Sequence, residues 1–157
     1  MALPTPPRAL FFDVFGTCVD WRTTVTQSLC TQSHAALNSP TASLASRVRL
    51  RASDMTLANW SDFAQQWRVA YHVFTRRLAA DPSIPFKTVD EHHLDSLKQL
   101  VREWGLDGLW APEELLALSL VWHRLDPWVD SAPGISLLNS HFCTAPVRNV
   151  CPVFKWR

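Results

Sequence analysis

The chain carries one short, nearly continuous apolar run near its start, Ala9-Leu10-Phe11-Phe12-Asp13-Val14-Phe15, and the next strand-like stretch comes only at Phe142–Val147. A run this rich in aromatic and branched residues, entered after a proline pair and left through Gly16-Thr17, predicts a fully buried strand that ends in a turn. Pro146 weakens the second strand or places it at an edge. Everything between the two reads as helix and connection. If both strands share one sheet, the helical stretch is an excursion whose apolar faces must cover each other, which is the behaviour of a cap on an α/β core.

The helices differ in how plainly they are written. Trp21 to about Leu37 is weakly helical, and Asn38 to Ser53 reads as a Ser/Thr-rich connection with scattered arginines. Trp60, Phe63 or Ala64, Trp67, Ala70 or Tyr71, Phe74 and Leu78 recur at steps of three and four, giving the clearest helix, which Asp81-Pro82 ends. Thr88-x-x-Glu91 is a capping box for a helix carrying Leu94, Leu97, Val101 and Trp104 up to Gly105. A third helix starts near Pro112 and runs to Leu125. After Pro133-Gly134 a short helix is expected around Ile135–Asn139.

Composition narrows the function classes. Fifteen Lys+Arg against fourteen Asp+Glu leave a net charge of +1 and no basic tract that would neutralise a row of phosphates, so nucleic acid is not the expected partner. No stretch approaches the ~18 apolar residues of a membrane helix, and Met1–Arg8 holds three prolines instead of a targeting pattern. A cytoplasmic protein is expected, with Cys18, Cys30, Cys143 and Cys151 reduced and Cys18 buried. His72, His92, His93 and His123 lack metal-ligand spacing and read as surface or boundary residues. No metal or cofactor is expected.

Asp13 stands where the first strand ends. A turn there offers backbone N–H donors, and Thr17 adds a hydroxyl within reach, which are the requirements of an aspartate nucleophile. A purely structural role for Asp13 as a turn cap carries about equal weight on spacing alone.

Phe12-Asp13-Val14-Phe15-Gly16-Thr17-Cys18-Val19-Asp20 resembles the first motif of the haloacid dehalogenase superfamily, in its branch of type II 2-haloacid dehalogenases. The superfamily's phosphatases place a second aspartate, the general acid, where this chain has Phe15. A phenyl ring cannot protonate an alkoxide or help to hold Mg²⁺, whereas a halide leaves without a proton. Trp67-Arg68, followed by Tyr71, resembles the cap-helix step of these dehalogenases, and the resemblance implies that Arg68 receives the halide. Leu125-Asp126-Pro127-Trp128 and Pro133-Gly134-Ile135-x-Leu137-Leu138 resemble the return from cap to core. Where the family has Ser/Thr-Asn-Gly, this chain reads Arg148-Asn149-Val150, and its later lysine and acidic motifs have no counterpart.

The resemblance implies a partial doubly wound parallel core bearing a helical cap inserted after the first strand, with core at 1–20 and 127–157 and cap at 21–126. It implies Asp13, Thr17 and Arg68 as catalytic residues and Phe15, Gly16, Trp67, Tyr71 and Asn149 as substrate-binding ones. Trp21 and Trp128, at the two cap junctions, are further candidates for the pocket lining. The implied substrate is a 2-haloalkanoic acid, converted to a 2-hydroxy acid. Oligomeric state stays open, a homodimer included. The departures after Asn149 predict a chain cut short, so a catalytically inactive remnant is the alternative, and a superfamily phosphatase a weaker one that Phe15 opposes.

Overall fold

The computed structural model describes residues 7–40 and 43–147. Among the described residues two strands, six α-helices and one 3₁₀ turn are formed in the order β1 (Ala9–Asp13), α1 (Trp21–Asn38), α2 (Ser46–Ser53), α3 (Leu57–Ala80), α4 (Val89–Glu103), α5 (Pro112–Ser119), the 3₁₀ turn Leu120–His123, α6 (Ser131–Asn139) and β2 (Cys143–Val147). The chain divides into two compact units, one made of the residues up to Trp21 and from Leu125 onward, the other of Arg22–Arg124. Among the described residues no helix is long and apolar enough to cross a membrane.

In the first unit β1 and β2 run parallel, with Ala9 opposite Cys143 and Asp13 opposite Val147. Pro146 faces Phe12. Its missing N–H is tolerated because a strand in a two-stranded sheet always has an edge. The buried strand expected at Ala9–Phe15 is corrected: pairing stops at Asp13, Phe11 is 68% exposed, and Leu10 and Phe12 are only half-buried. The physical reason is cover. Among the described residues one neighbouring strand and one helix, α6 packed on β2, flank β1, too little to bury both faces of a parallel sheet. The short helix α6 also starts earlier than expected, with Pro133 inside its first turn, where an N–H has no helical acceptor to lose.

The second unit is a helical body with a continuous core. Val25 and Leu29 of α1, Trp60, Phe63, Ala64 and Trp67 of α3, and Leu97, Leu100 and Val101 of α4 are buried, together with Leu106, Leu109, Trp110, Val121 and Trp122. Four of the eight tryptophans, Trp60, Trp67, Trp110 and Trp122, are buried in this core. Trp60 packs against Phe63 and Trp110 at ring separations of 5.9 and 6.0 Å, and Phe63 against Trp104 at 5.6 Å, tilted pairs of the kind aromatic quadrupoles favour.

Helix ends follow local chemistry. The Thr88 hydroxyl accepts from the Glu91 amide at 3.2 Å, while the Glu91 carboxylate accepts from the Thr88 amide at 2.8 Å. At its other end α4 closes on Gly105 at φ +71, with the Leu106 amide donating to Val101 O and the Gly105 amide to Arg102 O, a Schellman stop. Thr88→Ala is expected to cost about 1 kcal/mol in urea denaturation, and a change within error would show that α4 does not depend on its cap.

The connection expected over Asn38–Ser53 is corrected too, since Ser46–Ser53 is α2. Only Val48 and Ala52 anchor it apolarly, so periodicity could not reveal it. Its arginines reach other helices: Arg49 Nη1 donates to Leu37 O at 2.9 Å and Arg51 Nε to Trp104 O at 3.0 Å, each meeting carbonyls at a helix C-terminus.

Candidate active site

Asp13 is the last residue of β1 and is exposed. The Thr17 hydroxyl donates to its Oδ2 at 3.2 Å, and the Cys18 thiol to its main-chain carbonyl at 3.3 Å. Cys18 is thus half-buried and engaged, which corrects the buried apolar role expected for it. Three of the backbone amides that follow are committed within the turn. Those of Cys18 and Val19 donate to Val14 O at 2.9 and 3.1 Å, and that of Gly16 to Val19 O at 3.1 Å, so all three are spent inside the turn. The Thr17 hydroxyl serves the Asp13 carboxylate, as its spacing leads one to expect.

Gly16 has φ +86, a conformation that costs other residues about 1–2 kcal/mol, and it lets the chain reverse so that Thr17 returns over Asp13. A Cβ at Gly16 would meet the Trp21 indole nitrogen at 3.7 Å, while Trp128 Nε1 donates to Gly16 O at 3.3 Å. Both junction tryptophans therefore lie on the turn that carries Thr17. Val19 binds this turn to the returning chain through bridges to Phe15 and Pro127, reinforced by Asp20 N donating to Asp126 O at 2.8 Å. Phe15 is half-buried and supplies no titratable group two residues from Asp13. Asn149 lies outside the described residues.

The remaining candidates belong to the helical unit. Arg68 is half-buried on α3, with its guanidinium carbon 5.2 Å from the centre of the Tyr71 ring, three residues further along the same helix. Trp67 has no exposed surface. Its Nε1 donates to His93 O and Ser96 Oγ, both at 3.1 Å, and its ring meets Trp122 edge-on at 5.2 Å. Its neighbours are thus core residues of α3, α4 and the 3₁₀ turn.

Histidines depart most from the sequence reading. His93, expected at the surface or boundary, is 5% exposed, stacked on Trp122 at 5.1 Å and on Tyr71 at 5.6 Å. The signal was present, because His93 lies four and seven residues before Leu97 and Leu100 on the buried stripe of α4. His123 Nε2 meets Asp90 Oδ1 at 2.7 Å, and His92 stacks on Phe74 at 4.2 Å. Among the described residues no three His, Cys, Asp or Glu side chains converge as metal ligands would.

Burial, then the charges of His92, Arg68 and His123, push the His93 imidazole from 6.5 down to about 3. An unfolded chain takes up that proton below about 6.5 and the folded one does not until about 3, so stability is full above 6.5 and falls on acidification through that window. The expected slope reaches ~1.4 kcal/mol per pH unit, and His93→Phe should flatten it. Urea midpoints at several pH values between neutral and mildly acidic measure this, and an equal slope in the variant would assign the acid sensitivity elsewhere.

No protein-family model matches the chain, and no curated protein does. Solved structures do. A defluorinating L-2-haloacid dehalogenase superposes with a TM-score of 0.68 at 28% identity over 89% of this chain and 50% of that one. A second L-2-haloacid dehalogenase gives 0.65 at 25% identity, covering 90% of this chain and 51% of its own. The architecture is that of a partial haloacid dehalogenase core, Rossmann-like, carrying a helical cap. Within that superfamily the chain is a relative of the type II 2-haloacid dehalogenases, and it spans about half the length of the structures it matches.

Proposed function

We propose that this chain is a cytoplasmic protein carrying the nucleophile and cap of a 2-haloacid dehalogenase, with core segments 1–20 and 127–157, a cap over 21–126, and a 2-haloalkanoic acid as substrate. The observation that carries the reading is the Thr17 hydroxyl on Asp13 Oδ2, on a turn whose second residue after the aspartate is Phe15 instead of an acid. With Oδ2 held, Oδ1 is the attacking atom. It forms a bond to C2 of the substrate as the carbon–halogen bond breaks, and both bonding electrons leave with the halide. No proton is needed for that departure, so Phe15 costs nothing. Arg68 is assigned the halide and Tyr71 the substrate on the family resemblance, and Asn149 the substrate carboxylate. Trp67 is assigned to supporting them from within the cap core. Water then attacks the aspartyl ester carbonyl, giving a 2-hydroxy acid inverted at C2, the free Asp13 carboxylate and one proton.

The exposed Phe11 and Val147 on the two-stranded sheet favour a second reading, a chain that binds through this face and does not turn over. Incubation with 2-chloropropionate, following free chloride and the mass of the intact protein, separates the two. Sustained chloride release supports the hydrolase. A mass gain on Asp13 without turnover places the block at ester hydrolysis, and neither signal supports the binding protein.

A further inference from the structure

Four side chains from three elements of the cap form one column. The Trp122 ring, from the 3₁₀ turn, stacks on His93 of α4 at 5.1 Å and 14°. His93 stacks on Tyr71 of α3 at 5.6 Å and 25°, and Tyr71 meets the Arg68 guanidinium at 5.2 Å. Trp67 fixes the column from the side, edge-on to both His93 and Trp122 and donating its N–H to the His93 carbonyl. A long, many-rotamer arginine gains little by being near an anion unless something holds its planar head, and ring stacking is one way to do that.

We propose that Tyr71 and His93 are positioning residues whose stacked rings, backed by Trp122, hold the Arg68 guanidinium in a fixed orientation for a small anion. The assignment of the anion as the departing halide rests on the dehalogenase reading above, while the positioning itself does not. A neutral imidazole suits the position, since a second cation against Tyr71 would repel the guanidinium. Burial first, then the neighbours His92, Arg68 and His123, keep His93 unprotonated near neutrality; His123 meets Asp90 at 2.7 Å.

The Arg68 Nε–Hε resonance, assigned in ¹⁵N-arginine-labelled protein by its loss in Arg68→Lys, reads the column directly. Ring currents should displace it from the bulk arginine position. Tyr71→Leu is expected to return it to bulk, His93→Ala to move it towards bulk, and His93→Phe to retain it. If Tyr71→Leu leaves it unmoved, or His93→Phe loses it as fully as His93→Ala, the proposal is overturned. Should His93→Ala not fold, the half-buried Tyr71→Leu still decides. In the activity arm, His93→Ala should lower kcat for 2-chloropropionate roughly tenfold with KM less affected, and His93→Phe should restore it. A wild-type protein that shows the displaced resonance but releases no chloride would remove the dehalogenase reading and leave the positioning intact.

Discussion

Asp13→Asn is expected to lower chloride release from 2-chloropropionate by roughly four orders of magnitude or more, because a neutral amide replaces the only carboxylate oxygens that the mechanism uses as nucleophile. The comparison is clean for structural reasons. Asp13 is exposed at a strand end, and an asparagine side-chain oxygen can still accept from the Thr17 hydroxyl that now lies 3.2 Å from Oδ2. Fold and stability should therefore be unchanged by circular dichroism and urea denaturation while turnover disappears. Thr17→Val should cost less, about 10- to 100-fold, the worth of one hydrogen bond to a charged acceptor. Turnover by Asp13→Asn at a rate near wild type would remove Asp13 from the chemistry, and with it the proposed function.

Trp67→Ala is expected to cost the helical unit about 3–5 kcal/mol, enough to threaten a fold of ordinary stability. Trp67 is wholly buried, and its removal would leave a large cavity beside Trp122 and His93. It would also strip a donor from the His93 carbonyl and from Ser96 Oγ. Ser96 keeps other bonds, to His92 O at 2.7 Å and His93 O at 3.2 Å, so the cavity outweighs the lost hydrogen bonds. Trp128→Ala is the matched control. Trp128 is 41% exposed and its side chain donates one long hydrogen bond to Gly16 O, so about 1 kcal/mol or less is expected. Urea midpoints followed by far-UV circular dichroism measure both, and equal losses at the two sites would contradict the picture of a cap built on α3.

The expected helices that proved correct are those whose stripe or cap is written in neighbouring residues. Helix α3 announces itself through Trp60, Phe63 and Trp67, and α4 through Thr88-x-x-Glu91 and Gly105. Helix α2 was invisible because its support comes from α1 and α4, through carbonyls that Arg49 and Arg51 reach across space. The strand β1 was legible as a strand but not in its exposure, since a segment's own residues do not state how many neighbours will cover it. For His93 two signals compete: imidazole is polar by type, while its spacing to Leu97 and Leu100 puts it on the buried stripe of α4, and the rings of Tyr71, Trp67 and Trp122 are what it meets there.

Read directly, the residues set the strand-turn motif at Asp13 and the order strand, helices, strand, while the resemblance to the dehalogenases supplied the reading of Phe15 as a replaced acid and of the helices as a cap. The motif depends on residue type and on spacings short enough for the chain to enforce locally. Tertiary structure decided that the amides of Gly16, Cys18 and Val19 are spent within the turn, and that His93 joins Tyr71 and Trp122 in ring contacts that lead to Arg68. Those outcomes depend on which groups have already spent their hydrogen bonds and on which faces distant segments bring together, and neither is encoded in the order of neighbouring residues.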